Sequence, residues 1–187
     1  MATKRDNVQE GTSESGLTGM VRSALGVLAP SGGVEDALTL LKRDHREVEG
    51  LFAQFEELDE KQDARRRHEL VQEVCAVLTV HATLEEELFY PAIRRAGKEA
   101  QDLVDEAEVE HGTVKELVAR LQAMGPDDAK LRANFTVLRE YVRHHVKEEE
   151  DEIFDAAKDA DIDLDRLGRQ LEARKLELMT QVAVERR

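Results

Sequence analysis

Of 187 residues, one is cysteine, three are proline and none is tryptophan, and aromatics make up 4%. The single thiol, Cys75, allows no disulfide within the chain, which fits a reducing compartment. It lies in the apolar run VCAVL, where a small buried hydrophobe is a better reading than a redox thiol. No uncharged apolar run reaches about 18 residues, so no spanning helix and no membrane partner is expected. The first residues, MATKRDNVQEGTSESG, lack the charged-then-apolar layout of a secretory leader. These features predict a cytoplasmic protein. Positive charge is scarce as well: 27 Lys and Arg stand against 41 Asp and Glu, for a net charge of -14. Such a field repels phosphate backbones and attracts cations, so nucleic acid is not an expected partner.

The residues that are plentiful are helix formers. The chain is 41% hydrophobic and rich in Ala, Leu, Glu, Lys and Arg, which predicts an all-α protein. Residues 1–33 read as a flexible tail. Within it, Leu17, Met20, Val21, Ala24, Leu25 and Leu28 predict a short amphipathic helix. That helix is a candidate contact for the main domain, for a second copy of the chain or for a partner protein. Pro30-Ser31-Gly32-Gly33 reads as a hinge. Residues 34–160 predict four long helices, at about 34–58, 63–95, 100–124 and 127–158. Gly97 stops the second, Pro91 kinks its last turn, and Asp127 or Asp128 caps the fourth. Residues 161–187 predict a C-terminal helical extension, largely polar, lying across the others.

The second and fourth helices repeat one pattern, His81-Ala-Thr-Leu-Glu85 and His145-Val-Lys-Glu-Glu149. Four residues is about one helical turn, so each histidine sits over its glutamate. Shifted by 64 positions, Val74, Leu78, His81, Glu85 and Tyr90 fall on Leu138, Val142, His145, Glu149 and Phe154. Shifted by 66, His45, Val48, Phe52 and Phe55 fall on His111, Val114, Val118 and Leu121. One αα-hairpin is used twice, which predicts an up-down-up-down four-helix bundle. At 1.5 Å per residue, His45 and His81 lie roughly 24 and 30 Å from their shared turn, so the four histidines can share one layer.

One histidine on an apolar stripe is ordinarily a core residue with a hydrogen-bond partner. One on each of four helices, with two matched carboxylates, is better explained by metal. Imidazole and carboxylate without thiolate suit Fe, Mn or Zn. Six side chains exceed the need of one tetrahedral zinc and suit two ions bridged by Glu85 and Glu149. A position left open there could take O2, peroxide or NO. The ferritin-like alternative requires Glu-x-x-His on two helices. On the ligand stripes that pattern occurs once, from Glu108 to His111, because Leu78 and Val142 occupy the other positions.

The order His, His-x-x-x-Glu, His, His-x-x-x-Glu, with LLKRDHREVEGLF, VHATLEEELFYPA, DEAEVEH and YVRHHVKEEEDEIF around it, resembles the hemerythrin-like HHE cation-binding domains over about residues 36–158. The resemblance implies that His45, His81, Glu85, His111, His145 and Glu149 ligate two iron ions, bridged by oxo, hydroxo or carboxylate groups. It also implies an O2, peroxide or NO ligand, used in sensing or in catalase-like or peroxidase-like turnover. Oxygen carriers of the family have a further histidine one turn after the third-helix ligand. Lys115 stands there, so reversible O2 transport is not expected. Asp155 stands where the second helix has Pro91, so a less sharply broken fourth helix is expected. Iron storage and a metal-free helical interaction module are the alternatives.

Further residues are candidates for the surroundings of the ligands. Glu49, Glu108 and Glu152 lie about one turn from a ligand and read as supporting carboxylates. His144 points about 100° away from His145 and reads as a rim residue, with a ligand paired to Glu148 as the alternative. Tyr141 is expected to face inward, either packing in the core or hydrogen-bonding a bound oxygen species. His68 is expected to be exposed.

Overall fold

The structure is a computed structural model that describes residues 35–59 and 62–185. All of these belong to the unit Val34–Arg187. The tail at 1–33 and its amphipathic segment at 17–28 lie outside the described residues. Among the described residues five long helices follow one another: α1 (Ala37–Glu57), α2 (Ala64–Leu84), α3 (Lys98–Gln122), α4 (Leu131–Glu148) and α5 (Leu164–Glu185). Among the described residues there is no strand, and no helix is long and apolar enough to cross a membrane. Successive helices α1 to α4 are joined by short connections and pack as the expected bundle.

Local chemistry sets the boundaries. Asp36 caps α1, its carboxylate accepting from the Thr39 N–H at 3.0 Å and the Thr39 hydroxyl at 2.9 Å. Gly97 has φ 136°, a conformation that side chains disfavour, and it separates the end of the second helix from α3. Asp163 accepts from the Arg166 N–H at 2.8 Å at the start of α5. The cap expected of Asp127 or Asp128 on α4 is corrected: the N-cap is Lys130, with no side-chain cap. Asp128 acts one step earlier, in the turn, where it accepts from the Lys130 N–H at 2.8 Å.

Both histidine–glutamate helices change pitch at the glutamate. After α2 comes a π-helical turn, Glu85–Phe89, then Tyr90–Ile93 and a 3-10 turn, Arg94–Ala96. After α4 comes a π-helical turn, Glu149–Ile153, then Phe154–Asp159. Pro91 is therefore not what breaks the helix, since α4 makes the same turn with Asp155 in its place. The extra residue rotates the inward face. Phe89, Tyr90 and Ile93 are buried and Leu88 is only partly so.

The core is two apolar clusters with an ionisable layer between them. One cluster contains Phe52, Phe55, Val74, Cys75, Val118, Phe135 and Leu138. The other contains Leu40, Leu84, Phe89, Tyr90, Val104 and Phe154, together with Leu167 and Leu171 of α5. The C-terminal helix therefore shares a core with the bundle and lies along α1 and α2.

Gly168 marks the closest approach of α5 to the start of α1. A Cβ there would stand 2.3 Å from the Glu35 carbonyl oxygen and 2.9 Å from the Ala37 nitrogen. These are backbone atoms and cannot swing aside. Gly168→Ala is expected to destabilise by about 1–3 kcal/mol through overpacking, net of the roughly 1 kcal/mol that alanine gains in helix propensity. Urea denaturation of the variant checks this. An unchanged or raised midpoint would contradict the close packing of α5.

Candidate metal centre

The layer between the clusters holds His45, His81, His111, His145, Glu85 and Glu149, all buried, one histidine from each of α1 to α4. The histidines meet in pairs. His45 Nε2 lies 3.2 Å from His81 Nε2, and His111 Nε2 lies 3.1 Å from His145 Nε2. Glu85 spans the pairs, with one oxygen 3.0 Å from His81 Nε2 and the other 3.4 Å from His111 Nε2. Glu149 lies 3.2 Å from His45 Nε2. Despite these approaches, none of the four carboxylate oxygens of Glu85 and Glu149 accepts a well-formed hydrogen bond.

The outer nitrogens show why the inner ones converge. His45 Nδ1 lies 2.8 Å from Glu150, His111 Nδ1 2.9 Å from Glu86 and His145 Nδ1 2.8 Å from Glu110. A carboxylate can only accept from a neutral or charged ring, so each Nδ1 carries its proton and each Nε2 faces the interior. The arrangement obeys the sequence repeat. Glu86 and Glu150 each follow a glutamate of the layer, and each serves a histidine of the other hairpin. Asp44 and Glu110 each precede a histidine, and each faces a histidine of its own hairpin. The symmetry fails at Asp44. Its carboxylate is 4.0 Å from His81 Nδ1 and is held instead by Lys175 Nζ of α5 at 2.6 Å.

Tyr90 and Phe154 are the repeat-related aromatics beside the layer. Phe154 stacks on His45 at 6.0 Å between ring centroids. The Tyr90 hydroxyl lies 3.3 Å from His111 Nε2. Burial, with Glu85 and Glu149 nearby, pushes this phenol well above the usual range, so it keeps its proton.

In the absence of metal, protons balance the layer. Burial pulls the His45 imidazole down, but Glu149 and Glu150 outweigh it and raise it to about 9. Burial also opposes charge on His111, and Glu85 and Glu86 raise it nonetheless. Burial pushes Glu85 up, but His81 and His111 hold it well below the usual carboxylate range. A raised histidine stabilises the fold fully below its ordinary value of 6.5, and that stabilisation is lost as pH rises through about 9. Chelator-treated protein is therefore expected to lose urea resistance between pH 6.5 and 9.5. A midpoint that is constant or rising across this range would contradict a protonated His45.

The structure brings together all six expected ligands. The expected surroundings are largely corrected. Tyr141 is 46% exposed and faces solvent, and the tyrosine of the layer is Tyr90. Glu49 is exposed and binds Arg143. Glu108 is exposed and pairs with Arg94 at 2.9 Å. In each case an arginine on a neighbouring helix holds the carboxylate at the surface. Glu152 is exposed and lines a cleft beside Glu149. His144 is exposed on the rim, 3.2 Å from Glu148 and 3.6 Å from Glu110. His68 is half-buried rather than exposed, because its Nε2 meets the Met124 carbonyl at 2.9 Å, just past the end of α3.

The supporting carboxylates that sequence reasoning missed are Asp44, Glu86, Glu110 and Glu150. Adjacency was the available signal. A residue next to a buried ligand points about 100° round the helix, toward the neighbouring helix and its histidine.

Four imidazoles and two carboxylates without sulfur, with four orphaned buried oxygens, form a donor set that fits a metal. Two groups could each hold an ion: His45, His81, Glu85 and Glu149, and Glu85, His111 and His145.

Known proteins share the fold. A protein of Nostoc sp. named DNA nickase is 29% identical over 159 residues, covering 78% of this chain. The match spans only 43% of that relative's length. The Rv2633c protein of Mycobacterium tuberculosis is 28% identical over 142 residues, covering 74% of this chain and 84% of its own length. The crystal structure of an HHE cation-binding domain protein from Mycobacterium kansasii, an Rv2633c homolog, superposes with a TM-score of 0.68 at 25% identity. That match covers 79% of this chain and 89% of the other. The hemerythrin HHE cation-binding domain model matches residues 36–157, a span that contains all six buried histidines and glutamates, and the chain belongs to that family.

Proposed function

We propose that the buried layer holds two iron ions, with His45, His81, Glu85, His111, His145 and Glu149 as ligands, and that the centre binds or reacts with O2, peroxide or NO. The observation that carries this reading is the convergence of four Nε2 atoms on two carboxylates that have no hydrogen-bond partner of their own. Bound iron would supply redox and Lewis-acid chemistry that these side chains lack. The chain's own part is to orient four imidazoles through outer carboxylates, to exclude bulk water with two apolar clusters, and to hold a proton on the Tyr90 hydroxyl. A void of about 20 Å³ touches all four histidines and is otherwise lined by Val48, Leu78, Ala82, Val114, Val142 and Val146. It has room for about one water-sized molecule, which suits a diatomic or peroxide ligand.

Sensing or peroxide removal is favoured over O2 carriage. Lys115, where carriers of the family have a histidine, is half-exposed and binds Glu86 at 2.5 and 2.6 Å instead of reaching the layer. The activity named for the Nostoc relative is not carried over, because a net charge of -14 opposes a phosphate backbone.

Binding must displace the proton that Glu149 and Glu150 hold on His45. Loading is expected to release at least about one proton per chain and to strengthen with pH below about 9. Titration calorimetry in buffers of different ionisation enthalpy measures the release. Freshly purified protein should carry about two irons per chain and a charge-transfer band that shifts with azide or peroxide. Manganese or zinc in their place would correct the metal, and two irons without such a band would sink the ligand-binding reading. Rapid O2 evolution from peroxide would select turnover over sensing.

A further inference from the structure

We propose that divalent cations enter through the cleft between α3 and α4, pausing at a docking site formed by Glu110, His144 and Glu148 at its mouth. The inference rests on the reading of the buried layer as a metal centre. The cleft, of about 50 Å³, is lined by Glu106, Glu110, Glu148 and Glu152, with His145 and Glu149 also in its wall. No lysine or arginine is among its lining residues. Glu149 is 1% exposed, and both of its oxygens lack a hydrogen-bond partner. A buried, unpartnered carboxylate thus borders an acidic cleft.

The mouth offers three donors. His144 Nε2 is 3.2 Å from Glu148 Oε1 and 3.6 Å from Glu110 Oε1. One donor atom from each residue falls within 4.8 Å of the other two. Two carboxylates and an imidazole suit Fe2+, Mn2+, Co2+ or Zn2+. Their partial exposure favours a transient stop over a resident ion. Glu110 links the mouth to the interior, because its other oxygen holds His145 Nδ1 at 2.8 Å. The groove on the other side of α4 is larger, about 370 Å³, and reaches His45. Arg46, Arg143 and Lys147 line it together with Glu49, Glu150 and Asp151, so its charges balance and it lacks the one-signed lining by which the acidic cleft gathers cations.

A cleft lined by one sign of charge raises the on-rate of an opposite ion by about 10- to 1,000-fold, and salt screens the effect. The test mixes full-length metal-free protein with Co2+ in a stopped-flow instrument and follows the visible band of the bound ion. The variants are His144→Ala alone and Glu106→Gln with Glu148→Gln. Glu110 is left intact because it positions His145. The expected result is loading slowed about tenfold or more in the double variant, with final stoichiometry unchanged. Wild-type loading should also slow steeply with salt, and the double variant's loading less so, while His144→Ala, which keeps every carboxylate, slows loading without changing the salt dependence. As a control, Glu49→Gln on the other groove should load at the wild-type rate. Equal rates and equal salt dependence in wild type and variants would overturn the entry route. Wild-type protein that takes up no Co2+ at any time would instead overturn the metal-centre reading.

Discussion

Replacing Glu85 by glutamine is expected to weaken metal binding more than about 100-fold while the helices stay folded. Changing a residue that only supports a ligand typically costs 10- to 100-fold in affinity. Glu85 does more than support one. Its two oxygens face one histidine of each pair, His81 and His111, so the substitution removes a donor from both halves of the layer. Glutamine keeps the volume, and the apolar cluster around Leu84 and Phe89 keeps its packing. Glu86→Gln, which touches only His111 Nδ1 and Lys115, should fall inside the 10- to 100-fold range. Competition against a chromophoric chelator measures both. A ligand present at 1,000 times its dissociation constant stabilises by about 4 kcal/mol. For a domain of this size that is roughly 8–16 °C of melting temperature per ion. Chelation should therefore lower the wild-type melting temperature by about that amount for each ion, and that of the Glu85→Gln protein by about 6 °C per ion or less. An E85Q protein that binds two ions with wild-type affinity would remove Glu85 from the ligand set.

Lys175→Met is expected to cost about 3–5 kcal/mol. Asp44 is 1% exposed and Lys175 8%, and they meet at 2.6 Å inside the contact between α1 and α5. Deleting one partner of a buried pair strands the other charge without water. Arg43 Nε, at 3.7 Å, is too distant to replace the lost bond. Asp44→Asn with Lys175→Met should recover much of the loss, since no buried charge is then left unpaired. Equilibrium denaturation of the single and double variants measures the coupling. A single variant as stable as wild type would show that Asp44 is hydrated or protonated. The same pair draws the Asp44 carboxylate away from His81, so the double variant also reports how far α5 shapes the centre.

The sequence showed the helices and the six converging side chains clearly, because both depend on spacing along one helix. His45, His81, His111 and His145 are buried at the expected positions, and α3 starts directly after Gly97. Tyr90 was hidden for a definite reason. An α-helical pitch carried on from Glu85 turns Leu88 inward, whereas the π-helical turn spends one more residue and turns Phe89 and Tyr90 inward. Nothing in the residue types of EEELF announces that turn. The supporting carboxylates were missed for another reason. Glu86, Glu110 and Glu150 face adjacent helices, and in a chain this acidic a glutamate at a surface-like position carries little information. Lys175 continues the spacing of Leu167 and Leu171 on a helix whose sequence is largely polar, so one more charged residue there does not stand out.

The crossed pairs, His45 with Glu150 and His111 with Glu86, bear on how the molecule comes together. Each hairpin can align its own two histidines, but an acceptor for one of them is on the other hairpin. A lone half would leave His45 or His111 without its outer anchor and would open its apolar faces to water. The halves are thus complementary fragments. A chain cut between α2 and α3 should regain its centre only by reassociation of the two pieces.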